Sequence, residues 1–231
     1  MFSMSRSARV VVPGIPHHIV QRGNRNQTVF FSDSDRYMYA SKLRNAAGEY
    51  GVSILAWCLM DNHVHLIAVP ENEKSFASCF RKAHSQYAYY VNSQYDWRGH
   101  LWQCRFHSSP LGPSYLYNAI RYVEQNPVRA KMALNPWDYK WSSAGFRTGH
   151  RKHDLLANKD SDIQIDIENW QEYLSIDPET IQILKIRKAV KSNNPVGRYW
   201  FLKRMANTHG ISAVPLKRGR PRKYPDHYPL S

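Results

Sequence analysis

Val52-Ser53-Ile54-Leu55-Ala56-Trp57-Cys58-Leu59-Met60-Asp61-Asn62-His63-Val64-His65-Leu66-Ile67-Ala68-Val69 holds two apolar runs on either side of one polar dipeptide. Runs of this length and composition suit strands, and Asp-Asn between them is tight-turn chemistry, because both residues tolerate left-handed backbone. The two runs are expected to pair as an antiparallel hairpin. Upstream, 33–50 sets Tyr37, Ala40, Leu43 and Ala47 at helical spacing, with Ser32 or Asp33 able to cap and Gly51 able to terminate. Before that helix, 15–21 is short and β-prone, and Gly23-Asn24 follows it as a turn. Downstream, 75–92 carries Phe76, Phe80, Ala83 and Tyr87 at helical spacing, and 101–108 alternates like a further strand. The order β-α-β-β-α-β is that of an α+β, ferredoxin-like (split βαβ) antiparallel sheet with both helices on one face. One more helix is expected from Ser114 to about Gln125. It must stop near Asn126, because the residue before Pro127 is pushed out of helical geometry.

The 231 residues are 42% hydrophobic, enough to bury a core. Lys and Arg total 32 against 18 Asp and Glu, a formal charge of +14, which favours a polyanionic partner such as nucleic acid. No apolar run approaches the roughly 18 residues of a membrane span, and 1–12 lacks a hydrophobic signal segment, so a cytoplasmic location is expected. Cys58, Cys79 and Cys104 are odd in number and widely spaced. They support neither a disulfide framework nor a thiolate zinc site, and all three are read as buried apolar residues. Charge divides the chain: 154–184 is acidic, whereas 185–231 holds twelve Lys or Arg and the single acid Asp226. We therefore expect a catalytic-type domain at 1–150, an acidic connector at 151–184 and a basic DNA-binding extension at 185–231.

Within the expected third strand, His63 and His65 lie on one face, since strand side chains alternate with period two. A His-x-His pair alone suits a solvated sheet face as well as a metal site, which would need a further ligand. The 114–125 helix offers one beside a nucleophile: Tyr122 and Asn126 are four residues apart and share a face. Of the helix tyrosines, Tyr115 has Ala119 at that spacing and Tyr117 has Arg121, so only Tyr122 has a neutral oxygen donor there.

Asn62-His63-Val64-His65 followed by Arg121-Tyr122-Val123-Glu124-Gln125-Asn126-Pro127-Val128-Arg129-Ala130 resembles the REP-associated tyrosine transposases of the HUH superfamily. His18-Ile19-Val20-Gln21-Arg22-Gly23-Asn24, Leu101-Trp102-Gln103-Cys104-Arg105-Phe106 and Trp141-Ser142-Ser143 match in order, as does the basic terminus Lys217-Arg218-Gly219-Arg220-Pro221-Arg222-Lys223. In the wider insertion-sequence relatives the helix ligand is usually a Gln four residues after the tyrosine. Here Asn126 stands there, leaving Gln125 as a substitute ligand.

The resemblance implies a single-strand DNA endonuclease and strand transferase acting on REP hairpin (BIME-type) elements and their flanking guide sequence. Tyr122 would attack to give a 5′-phosphotyrosine and a free 3′-OH, conserving the bond for rejoining. His63, His65 and Asn126 would hold a divalent ion, Mg²⁺ or Mn²⁺, with imidazole ligation leaning towards the latter. The implied partner is single-stranded and hairpin DNA, met as a monomer on the nucleoid. Arg22, Asn24 and Arg25, in a loop after the first strand, are further candidate DNA contacts. So are Lys217, Arg218, Arg220, Arg222 and Lys223, whose Gly-Arg-Pro core resembles an AT-hook. Two other readings stay open: a non-catalytic nucleic-acid-binding regulator on the same fold, and a replication initiator or relaxase of the same superfamily. His17, His18, His84, His100 and His107 have no partner at ligand spacing and are expected to be structural or surface residues.

Overall fold

The structure, a computed structural model, describes residues 10–156, 168–176 and 180–210. Strands β1 (His17–Arg22), β2 (Val52–Met60), β3 (His63–Pro70) and β4 (His107–Pro110) form one sheet in the order β2-β3-β1-β4, with every pairing antiparallel. This is the split βαβ order. Asp61-Asn62 makes the expected β2–β3 turn. Helix α1 (Asp33–Glu49) begins with a reciprocal capping box, in which Ser32 accepts from the Asp35 amide while the Asp35 carboxylate accepts from Ser32 N–H. Helix α2 (Ser75–Tyr95) runs beside it.

Period-two alternation sorts the sheet into two faces. Ile19, Val64, Leu66, Ala68, Trp57 and Leu59 join α1 and α2 in one core. On the opposite face Ala56, Cys58, Met60 and Ile67 pack against α3 (Pro113–Glu124), whose Leu116, Ala119, Ile120 and Val123 recur at helical spacing. So α1 and α2 share one face, as expected, and α3 lies across the other. The histidines of the His-x-His pair are on the α3 face.

Three expectations need correction. The last strand is 107–110, not 101–108. Leu101 and Trp102 both enter the α1–α2 core although they are adjacent, which a pleated strand cannot do, and only Trp102 bridges back to Gly23. Cys58 and Cys79 are buried, but Cys104 is exposed in this irregular stretch, its thiol near the Arg105 carbonyl. Finally, α3 ends at Glu124, yet Asn126 re-enters helical geometry: α4 (Asn126–Arg129) is a single turn with Pro127 in its first turn, where no N–H is needed.

After the short α5 (Ala144–Arg147), helices α6 (Trp170–Ser175) and α7 (Thr180–Ser192) complete the α3-side core through Trp170, Leu174, Ile186 and Ala189. Helix α8 (Tyr199–His209) seats Phe201 on Gly112 and Gly197. A Cβ on Gly197 would come within 2.4 Å of the Phe201 ring, so only glycine fits there. The residue 184/185 boundary expected from charge falls inside α7. The 217–223 run lies outside the described residues, and no described helix is long and apolar enough to cross a membrane.

Candidate active site

The β1–β3 register sets Val20 opposite His65 and Arg22 opposite His63, and β2 places Cys58 and Met60 on the other side of the same histidines. Alternation then puts His18, two residues before Val20, on this face too. The His18 and His65 rings stack with centroids 5.2 Å apart, and His18 Nε2 lies 2.9 Å from His65 Nδ1, one ring donating and the other accepting. The His63 and His65 centroids are 4.9 Å apart. His63 Nδ1–H donates to Asn62 Oδ1 at 2.6 Å, which leaves its Nε2 with the lone pair.

Helix α3 crosses above them. Its apolar stripe fixes its rotation, and Tyr122, on the border of that stripe, is turned down towards the sheet. Its ring stands edge-on to His18 and His65, with centroids 5.7 and 5.9 Å away. Guanidinium groups surround the phenol. Arg129 lies 4.2 Å from the ring centroid and donates to the Tyr122 carbonyl and, at 2.7 Å, to Asn126 Oδ1. From α7, Arg187 Nε–H donates to Tyr122 Oη at 3.2 Å.

Burial dominates the histidine electrostatics. It lowers His63 to about 4, helped by the nearby Arg22 guanidinium, and lowers His18 to about 3, helped by Arg129. His65 is held well below its ordinary value, first by burial and then by the neighbouring histidines and arginines. All three rings are therefore neutral at pH 7, the form in which imidazole ligates.

Among the described residues no cluster of three His, Cys, Asp or Glu could hold a metal ion, so a site on the histidine pair would need a donor of another kind. The residues fit such a site. His63 is oriented by Asn62 so that Nε2 is its free lone pair, and His18 can orient His65 the same way. Asn126 Oδ1 accepts from Arg129 and keeps a second lone pair, while its buried Nδ2, which can only donate, has no hydrogen-bond partner. Gln125 is turned away: its Nε2 donates to the Leu174 and Ile176 carbonyls at 2.6 and 3.2 Å, tying α3 to the end of α6.

The structure thus brings His63, His65 and Tyr122 together and links Asn126 to Tyr122 through Arg129. Arg22 is the last residue of β1, not part of a loop, and sits beside His63. Asn24 and Arg25 form a 3-10 turn over the hairpin, where Asn62 donates to the Asn26 carbonyl. Sequence reasoning missed His18, Arg129 and Arg187 as members of the site. The alternation His18-x-Val20-x-Arg22 was a signal for His18, but only the β1–β3 register turns it into a contact. For Arg187 the sequence carries no signal, because it reaches Tyr122 from 65 residues away.

Two solved structures resemble the chain. A REP-associated tyrosine transposase bound to a REP hairpin shares 20% identity at a TM-score of 0.54, covering 71% of this chain and 96% of its own, which establishes the fold. A candidate transposase from Deinococcus radiodurans R1 shares 18% identity at a TM-score of 0.36, covering 52% of this chain and 96% of its own. No curated protein matches. Residues 11–126, half of the sequence and the part that builds the whole sheet, the histidine pair and Tyr122, match the family described as "Transposase IS200 like". The chain belongs to the IS200-like transposase family.

Proposed function

We propose that this protein cuts and rejoins single-stranded DNA at hairpin-forming, REP-type elements through a covalent Tyr122 5′-phosphotyrosine. As a family member it is a DNA-binding enzyme of transposition; the nucleophile, ligand set and substrate are the finer reading. The observation that carries it is the placement of the Tyr122 phenol against neutral, buried histidines and between two guanidinium groups. A scissile phosphate brings negative charge, and this face of the sheet meets it with Arg22, Arg129 and Arg187. The fold-level relative bound to a REP hairpin supports hairpin DNA as the partner.

His63, His65 and Asn126 would hold a divalent ion, Mg²⁺ or Mn²⁺, which when bound supplies Lewis-acid polarisation of the phosphate. His18 orients His65, and Asn62 orients His63. Tyr122 Oη bonds to phosphorus as the bond to the 3′ oxygen breaks, and the released 3′-OH reverses the step on rejoining, so no nucleotide hydrolysis is needed. Arg22, Asn24 and Arg25 would line the path of the strand, and Lys217, Arg218, Arg220, Arg222 and Lys223 would add phosphate contacts from the extension. On this reading 1–150 carries the nucleophile and the ligands, 151–184 follows it, 185–231 adds DNA affinity while its first residues, in α7, pack in the α3-side core, and the protein acts as a monomer on the nucleoid.

The test is to incubate the full chain with labelled single-stranded hairpin DNA and Mn²⁺ or Mg²⁺ and look for an adduct that survives denaturation. Wild type and Tyr115→Phe should form it, and Tyr122→Phe, His63→Ala and His65→Ala should not. An adduct with Tyr122→Phe, or full cleavage in excess chelator, would refute the reading.

A further inference from the structure

Arg187 is exposed on α7, outside the 11–126 segment that matches the family, whereas Ile186 and Ala189 of the same helix are buried in the core that holds Tyr122. That packing fixes the rotation of α7 and directs Arg187 at α3. Its Nε–H donates to Tyr122 Oη at 3.2 Å, and its guanidinium carbon stands 5.7 Å from the ring centroid. No ion pair among the described residues uses Arg187. Arg129, the other cation at the ring, donates through Nη2 to the Tyr122 carbonyl and to Asn126 and also interacts with the Tyr122 side chain, so it braces the helix end while Arg187 Nε–H is the donor aimed at the phenol oxygen.

We propose that Arg187 is a catalytic residue of the tyrosine chemistry, a fixed donor that stabilises negative charge on Tyr122 Oη. This rests on the phosphotyrosine reading above. In cleavage the Oη–phosphorus bond forms and the phosphorus–O3′ bond breaks; the phenolic proton passes to water, and the departing 3′ oxygen takes one from water. In rejoining the 3′-OH gives its proton to water as its oxygen bonds to phosphorus, the Oη–phosphorus bond breaks, and Oη leaves as a phenolate that regains a proton from water. Arg187 keeps its own protons throughout. Its donor is aimed at the atom on which charge appears in both directions, which is where a preorganised donor lowers a barrier. The C-terminal helices are then part of the reaction centre and not only an affinity tail.

The test uses the full chain, Mn²⁺ and a pool of labelled hairpin oligonucleotides with randomised single-stranded flanks, under single-turnover conditions. Arg187→Gln should slow adduct formation at saturating DNA, and rejoining to a supplied 3′-OH strand, by about 10- to 100-fold, while the half-saturating DNA concentration moves less than about threefold. Arg187→Lys should restore part of the rate. Arg187→Ala should regain rate when ethylguanidinium is added, which a folding defect would not do. An unchanged rate at saturation, or weaker DNA binding with the rate intact, overturns the proposal and leaves the Tyr122 reading standing. If wild type forms no adduct with the pool, the phosphotyrosine reading falls, and this one with it.

Discussion

His17 shows how a neighbour of the site can serve the fold alone. It faces the α1–α2 core, edge-on to Phe76; its Nδ1–H donates to the Ile15 carbonyl at 2.7 Å, and its Nε2 accepts from Val12 N–H at 3.2 Å. Burial lowers it to about 4. Because the unfolded chain takes up this proton near pH 6.5 and the folded chain only near 4, the stability is present above pH 6.5 and is lost as pH falls from 6.5 towards 4. The loss from His17 alone is roughly 3 kcal/mol, taking about 1.4 kcal/mol per unit over that interval. Urea unfolding of wild type between pH 7.5 and 4.5 should show this loss added to those of His18, His63 and His65, and His17→Gln, which keeps a donor and an acceptor but does not titrate, should make the slope shallower by the His17 share alone. Asn126 and Gln125 separate by role in the same way. Gln125→Ala should lower the unfolding free energy by about 1–3 kcal/mol, since the buried Leu174 carbonyl and the part-buried Ile176 carbonyl lose their donor, and leave Mn²⁺ affinity unchanged. Asn126→Ala should weaken Mn²⁺ binding by at least about 10-fold. Calorimetric Mn²⁺ titration with thermal melting of both variants decides it, and the opposite ranking would move the third ligand to Gln125.

At the scale of elements, the loop that follows β1 depends on Gly23. A Cβ there would stand 2.3 Å from the Gln27 carbonyl oxygen and 2.7 Å from Val29 Cγ1, while Arg25 and Asn26 both take left-handed backbone immediately after it. The turn is closed by Gly23 N–H to the Asn62 carbonyl and Asn24 N–H to the Leu101 carbonyl, so it locks the β3 hairpin, the 101–106 stretch and the end of β1 together beside His63. Gly23→Ala should therefore displace the loop carrying Asn24 and Arg25 and destabilise the fold by about 1–3 kcal/mol, read as a lower melting temperature with weaker hairpin binding. Unchanged melting and binding would mean that the loop yields without consequence. Helix α3 is held from behind by Glu124: its carboxylate accepts from Ser143 Oγ at 2.6 Å, Arg147 Nε at 3.1 Å and Trp170 Nε1 at 2.7 Å. A fully buried carboxylate with three donors is a rigid anchor two residues from Tyr122. Sequence spacing revealed the existence of α3 and its apolar stripe, but it could not say that Glu124, charged and next to Val123, points inward, because its three partners come from 19 to 46 residues away.

For the whole molecule, charge and packing divide the chain differently. A protein ending at residue 184 would lack Ile186, Ala189 and Val196 of the α3-side core, and Asn193 and Asn194, which bond Ser108 and Ser109 of β4, whereas one ending at 216 keeps all of these. The shorter chain should aggregate or melt well below wild type. The 216-residue chain should melt like wild type but bind hairpin DNA with a flatter salt dependence, by roughly 0.7–0.9 in log–log slope for each phosphate that the 217–223 run neutralises. Identical slopes would remove that run from DNA binding. The sequence by itself determined the hairpin, the helices with clear apolar stripes, the split βαβ order and the shared face of His63 and His65, because each is a local periodicity of 2 or 3.6 residues that neighbouring side chains must obey. The nucleic-acid character followed from its charge. Only the tertiary structure decided that His18 abuts His65, that Leu101 and Trp102 share one core in place of a strand, and that Arg187 reaches the Tyr122 oxygen. Those contacts depend on strand register and helix docking between segments far apart in the chain, which are fixed by the fit of complementary surfaces and leave no period to read.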